Sequence, residues 1–217
     1  MAGMVARSLL MSLKKLVSLL LPESCVSCGC PAPDGEDGFC RRCAATLVRV
    51  HPVPGPGPFA AVRYEGSIVR ALHAFKYEGR MWRSRRLAGL LAGVWRQAGI
   101  QADVIIPVPL AWTRELSRGF NQSALLSVHL SRQVGVPAAL SVLRRVRPTA
   151  AQAGLSGADR EKNVRGCFAV KRPGAVVGRR VVLVDDVLTT GATCREAAAV
   201  LRRAGARQVV VLTVARA

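Results

Sequence analysis

Two aspartates stand side by side behind a run of four aliphatic residues, Val181-Val-Leu-Val184 and then Asp185-Asp186. The segment Thr189-Thr190-Gly191-Ala192-Thr193 follows, and after it a stretch with helical periodicity. In open parallel sheets ligands bind beyond the carboxyl ends of the strands. A helix N-terminus offers free N–H groups and a partial positive charge, which suits a phosphate. Gly191 lets the backbone come close, and Thr189, Thr190 and Thr193 add hydroxyl donors. The carboxylates repel phosphate but suit ribose hydroxyls or Mg²⁺. One strand–loop–helix unit therefore addresses both halves of a ribose phosphate. A ligand-free account covers part of the pattern, because Thr193-x-x-Glu196 matches a capping box. Capping does not account for two carboxylates directly behind a buried strand.

A second constellation lies upstream. Cys25-x-x-Cys28 and Cys40-x-x-Cys43 form two pairs separated by eleven residues. Each C-x-x-C turn points two sulfurs at one point, and two turns complete a tetrahedral four-thiolate site for Zn²⁺. The role is structural, since four thiolates leave no open coordination position. Gly29, Gly35 and Gly38 let the intervening loop fold back, and the spacer is shorter than the usual 15–20 residues. Cys30 is a surplus thiol that competes for a ligand position. A redox dithiol or unbound cysteines are the other readings of such pairs. Cys167 and Cys194 read as buried small hydrophobes, and His51, His73 and His129 as structural residues.

These groups need elements to hold them. Val5, Leu9, Leu13, Leu16, Val17 and Leu20 fall at helical spacing, predicting an amphipathic helix within residues 1–24, about 4–21. The four-cysteine module takes residues 25–50. His51-Pro-Val-Pro-Gly-Pro-Gly-Pro58 reads as a stiff linker. Residues 59–217 read as one α/β domain. Strands are expected at 104–108, 139–143, 181–184 and 209–214, and helices at 81–97, 121–134 (capped by Asn121 or Ser123) and 194–204. Strands separated by helices of this length imply βαβ units and a parallel sheet. Residues 145–166 carry little periodicity and read as a long loop, functional or disordered.

The chain has 217 residues and a net charge of +19, from 32 basic and 13 acidic side chains. Of the basic residues 27 are Arg and five are Lys, and residues 59–217 carry 26 basic against nine acidic groups. Arg-rich composition accounts for part of this excess, and a preference for anions for the rest. Aromatics are only 5%, too few for a base-stacking surface. Seven cysteines and no clean export signal argue against a disulfide framework and point to a cytoplasmic protein. No stretch reaches the ~20 apolar residues of a membrane span.

The motif from Val181 to Thr193 resembles the 5-phosphoribosyl-1-pyrophosphate (PRPP) site of type I phosphoribosyltransferases. The chain as a whole resembles the ComF family, of the ComFC and GntX types. The four-cysteine knot, Ala71-Leu-His-Ala-Phe-Lys-Tyr77, Ile106-Pro-Val-Pro109, Arg118-Gly-Phe-Asn-Gln122 and Gln152-x-x-Leu155 with Arg160-x-x-Asn163 carry the likeness over about 25–217. The resemblance implies a type I phosphoribosyltransferase-like parallel sheet flanked by helices, with a small N-terminal zinc-ribbon-like module. It implies PRPP with Mg²⁺ as ligand, Asp185 and Asp186 on the ribose, and the 5′-phosphate on Thr189–Thr193. It also implies that Arg114 and Arg118 hold the pyrophosphate from a loop after the 104–108 strand. A mobile lid would bring Gln152, Arg160 and Asn163 to the substrate. Lys76-Tyr77 would edge the site and Phe120 would anchor the core. The reaction implied is transfer of phosphoribosyl to a nitrogen acceptor that the sequence does not identify. The alternative is a non-catalytic accessory protein in DNA uptake, binding nucleotide or single-stranded DNA alongside a competence helicase. The sequence is silent on oligomeric state.

Overall fold

The computed structural model describes residues 24–32, 37–53, 55–147 and 157–217, the side chains of 157–160 excepted. The expected helix at 4–21, Gly35 and Gln152 lie outside the described residues, as does the side chain of Arg160. In chain order the elements are α1 (Arg41–Ala44), β1 (Phe59–Arg63), α2 (Ser67–Tyr77), α3 (Arg83–Gln97), β2 (Val104–Pro107), α4 (Trp112–Arg118) and α5 (Gln122–Val134). Then come β3 (Leu143–Arg145), α6 (Gly157–Val164), β4 (Phe168–Val170), β5 (Arg180–Leu188), α7 (Ala192–Arg203) and β6 (Gln208–Arg216).

Four strands form a parallel sheet in the order β1-β6-β5-β2. Alternation along the strands assigns the two faces. Val182 and Val184 of β5 join Ile105 and Leu212 in one buried layer with α3 and α5. Val181 and Leu183 join Val104, Ile106 and Val209 in the other, under Ala197, Ala198 and Leu201 of α7. Both faces are covered, which is why these strands read as unbroken aliphatic runs. The β5–α7–β6 unit is the βαβ crossover expected from spacing.

The registers determine where the sheet opens. β5 pairs with β6 from Arg180↔Gln208 to Leu188↔Arg216. It pairs with β2 only from Val104↔Val181 to Pro107↔Val184. One more bond, Val108 N to Val184 O at 2.9 Å, ends that ladder. Beyond this point β2 leaves the sheet, and Asp185 to Leu188 keep a neighbour on one side only.

Four expectations change. A strand at 139–143 is not formed as one piece. Pro137 and Ala139 bond with Ile105 at the sheet edge, and β3 begins at Leu143 to pair antiparallel with β4. The loop expected to carry Arg114 and Arg118 is a helix, α4, stopped by Gly119 at φ 78°. It buries no residue, so no apolar stripe announced it. Within 145–166 the backbone forms α6, and β5 does not end at Val184 but runs through the aspartates to Leu188.

The four-cysteine segment shares the core of the main fold. Cys25, Val26, Phe39 and Cys43 pack in one buried cluster with Ile68, Leu72 and Phe75 of α2 and Leu87 and Leu91 of α3. Gly38, at φ 84°, makes that contact possible, because a Cβ there would meet the Arg86 side chain at 2.8 Å. Among the described residues no helix is long and apolar enough to cross a membrane.

Candidate functional site

Where β2 departs, a cleft of about 380 Å³ opens at the carboxyl ends of β2 and β5. Asp185, Asp186, Arg114, Arg118, Thr189, Gly191, Ala192 and Thr193 line it together. Thr190 instead lines a neighbouring hollow with Pro56, Pro58 and Arg202. Asn163 is not among the residues lining the cleft. Its carbonyl accepts from Arg147 Nη2 at 3.3 Å.

The two aspartates have different surroundings. Asp185 Oδ1 accepts from Ser123 Oγ and from the Asp186 backbone N–H, both at 2.9 Å. The Cys194 thiol lies 3.8 Å from its other oxygen. Burial, and then the charge of Asp186, push the Asp185 carboxyl up to about 6, against the pull of these donors and of Lys76. Asp186 pairs with Lys76 Nζ at 2.9 Å, both side chains under a fifth exposed. Burial alone would lower the Lys76 ammonium, but Asp186, Asp185 and Tyr64 outweigh it and the net shift is upward. The cation thus holds two adjacent carboxylates in one small space.

The phosphate-side loop follows from one residue. Gly191 caps α7 at φ 76°, a conformation that L side chains rarely adopt. Arg195 Nη1 donates to the Thr190 carbonyl at 2.6 Å and pins the turn from within the helix. Thr193 therefore sits at the second helical position, and the capping box with Glu196 is not formed. Glu196 accepts from the Gly166 amide at 2.9 Å instead.

On the opposite wall, Arg118 Nη2 donates to Tyr77 Oη at 2.9 Å, with its guanidinium 4.7 Å from the ring centre. Phe120 packs on Phe75, with ring centroids 5.6 Å apart. Asn121 caps α5, accepting from Ser123 N at 3.0 Å, and so aims Ser123 at Asp185. Ser123, Arg145, Tyr64 and Cys194 also line the cleft. Sequence reading assigned none of them to it. Ser123, one residue into a capped helix, carried the only local signal. Arg145 sits over Phe168 at 5.0 Å, an arrangement only the β3–β4 pairing creates.

The sulfur atoms of Cys25, Cys28, Cys40 and Cys43 lie within 4.8 Å of one another. A tetrahedral Zn²⁺ with bonds of about 2.3 Å needs sulfurs roughly 3.8 Å apart, so the set could hold zinc. The surroundings fit the dianion that four thiolates and Zn²⁺ would form. Arg70 Nη2 lies 3.8 Å from Cys43 Sγ. Arg83 is 1% exposed, and its Nε and Nη1 find no hydrogen-bond partner among the described residues. Cys30 Sγ stands outside the four, 2.7 Å from Cys28 Sγ.

Residues 83–217 match the family model described as the phosphoribosyl transferase domain. Competence protein F of Haemophilus influenzae is 39% identical over 152 residues, covering 67% of this chain and 66% of that protein. DNA utilization protein YhgH of Escherichia coli (strain K12) is 35% identical over 197 residues, covering 88% and 83%. The chain belongs to the ComF family of phosphoribosyltransferase-like proteins. Competence protein ComFC of Bacillus subtilis is a more distant relative, 32% identical over 102 residues, covering 47% of this chain and 39% of that one. The model match begins at the first residue of α3 and includes β2, β5 and β6. In this ComF-family chain it therefore takes in the acidic pair and the Gly191 turn, but not β1, α2 or the cysteines.

Proposed function

We propose that the chain binds PRPP as its Mg²⁺ complex in the cleft and transfers phosphoribosyl to a nitrogen acceptor. One observation carries this reading. β5 outruns β2, so Asp185-Asp186 and the Gly191 turn face the same opening from opposite ends of a four-residue stretch. The turn and the start of α7 take the 5′-phosphate through backbone N–H groups and the hydroxyls of Thr189 and Thr193. Asp185 and Asp186 accept from the ribose hydroxyls. Arg114 and Arg118 hold the pyrophosphate with forked donors. Bound with the substrate, Mg²⁺ would neutralise part of the pyrophosphate charge. The C1–O bond breaks with its electron pair leaving on pyrophosphate, the nitrogen forms the new bond to C1, and the nitrogen's proton goes to solvent. Positioning and charge stabilisation supply the rate. Residues 25–50 act as a zinc module docked on residues 59–217. Gln152, Arg160 and Asn163 belong to a lid that excludes water.

The names of the relatives favour a second reading, in which the cleft binds nucleotide or single-stranded DNA without chemistry. Titration calorimetry with PRPP–Mg²⁺ separates the two. The transferase reading expects saturable binding and pyrophosphate release with some nitrogen base, both lost when Asp185 and Asp186 are replaced together by Asn. DNA binding with a steep salt dependence and no heat with PRPP–Mg²⁺ would put the second reading in its place.

A further inference from the structure

A continuous set of contacts runs from the cysteine cluster to the acidic pair through α2. That helix starts behind Gly66, at φ 65°, where a Cβ would come within 2.4 Å of the Thr46 carbonyl oxygen. Gly66 brings no side-chain cap. The first helical amide is met from the cysteine segment instead: Ser67 N donates to Thr46 Oγ1 at 3.1 Å. Ser67 Oγ and Thr46 Oγ1 both donate to the Cys43 carbonyl, at 2.7 and 2.9 Å. One turn further on, Arg70 reaches back with Nε 3.3 Å from Ser27 Oγ and Nη2 3.8 Å from Cys43 Sγ. The buried face of α2 shares its core with Cys25, Val26, Phe39 and Cys43. The last turn of the same helix presents Lys76 to Asp186 at 2.9 Å.

A helix of eleven residues is marginal by itself in water. Its position comes from what holds its first turn and its buried face; here the cysteine segment holds the first turn and shares the buried face with α3 and Phe120. That segment buries Cys25, Val26, Phe39 and Cys43 in the shared core, and a metal bound by its four thiolates would add to the free energy that orders it. Lys76 in turn relieves the repulsion between two adjacent carboxylates that a ribose must approach.

We propose that the four-cysteine centre is a clamp for Lys76, with Thr46 and Arg70 as positioning residues, so that metal at the cysteines and sugar phosphate at the aspartates bind with positive coupling through α2. This rests on the ribose-phosphate reading of the cleft. By linkage the coupling is reciprocal. Whatever factor zinc adds to PRPP affinity, PRPP must add to zinc affinity.

The test uses the full chain, with Mg²⁺ constant throughout. The Kd for PRPP–Mg²⁺ is measured with zinc loaded and after zinc removal under reducing conditions. The zinc Kd is measured by chelator competition with and without saturating PRPP. We expect roughly five- to tenfold tightening in each direction. Lys76→Met should leave the zinc Kd in the absence of PRPP unchanged while cancelling the effect of PRPP on it. Thr46→Val is read in the zinc-loaded, folded state, which avoids reliance on a metal-free fold. It should weaken PRPP–Mg²⁺ and speed hydrogen exchange at the first turn of α2, with Thr46→Ser restoring both. Equal PRPP affinity in zinc-loaded wild type and Thr46→Val, with no effect of PRPP on zinc, overturns the clamp and leaves the ribose-phosphate reading standing. No PRPP binding by zinc-loaded wild type removes both.

Discussion

Replacing Asp185 by Asn should stabilise the ligand-free protein at neutral pH while abolishing sugar-phosphate binding. Burial and the neighbouring Asp186 raise the Asp185 carboxyl from its ordinary 3.8 to about 6. A raised carboxyl favours the folded state fully only below 3.8. That advantage drains away as pH climbs from 3.8 to 6, and above 6 the ionised group imposes the whole cost. Two pKa units correspond to about 3 kcal/mol. Relaxation around the pair trims this, and we expect a gain of about 1–2 kcal/mol at pH 8, falling to a few tenths at pH 4.5. The amide oxygen can still accept from Ser123 Oγ and the Asp186 N–H, the two bonds at 2.9 Å, so the local frame is retained. The assay is urea unfolding of both proteins at several pH values. With a slope near 2 kcal/mol/M, the midpoint should rise by roughly 0.5–1 M at pH 8. Differences between the two proteins at each pH cancel the metal's own dependence. A variant less stable than wild type at pH 8, or a difference that does not change with pH, would refute the reasoning. The strain is what a binding site stores and a stability-optimised fold would remove.

Two further outcomes follow from the same geometry. PRPP–Mg²⁺ affinity should increase as pH rises through about 6, because the ionised Asp185 is the better acceptor for ribose; calorimetry between pH 5 and 8 reads this, and a flat profile argues against a role for that carboxylate. Gly191→Ala puts a Cβ 2.9 Å from Arg195 Nη1 at a φ of 76°, so it should cost about 1–2 kcal/mol of stability and weaken PRPP–Mg²⁺ more than tenfold, which urea unfolding and calorimetry check on one sample.

Much of the site could be read from local sequence because its parts are local. Asp185, Asp186 and the Thr189–Thr193 turn sit within nine residues on one strand–loop–helix unit, so composition and order already place them together. The cysteines carry their own spacing rule. The partners across the cleft had no such signal. Lys76 lies far from Asp186 in sequence, and only a helix laid against the sheet opening brings them to 2.9 Å. α4 has no buried face to impose a period. The capping box at Thr193 was outcompeted by the Gly191 turn, which starts α7 two residues earlier and leaves Glu196 to meet Gly166.

Residue order alone determined the chemistry on offer: a carboxylate pair behind a buried strand, an amide-lined glycine turn, and four thiols in two pairs. Each depends on neighbours a few residues apart, and local backbone geometry is enough to specify it. Tertiary structure decided how those offers combine. The strand register made β5 outrun β2 and opened the cleft. Packing of α2 between the cysteines and the acidic pair joined two sites that sequence spacing treats as separate. Pairing and packing act between residues far apart in the chain, where no local pattern reports them.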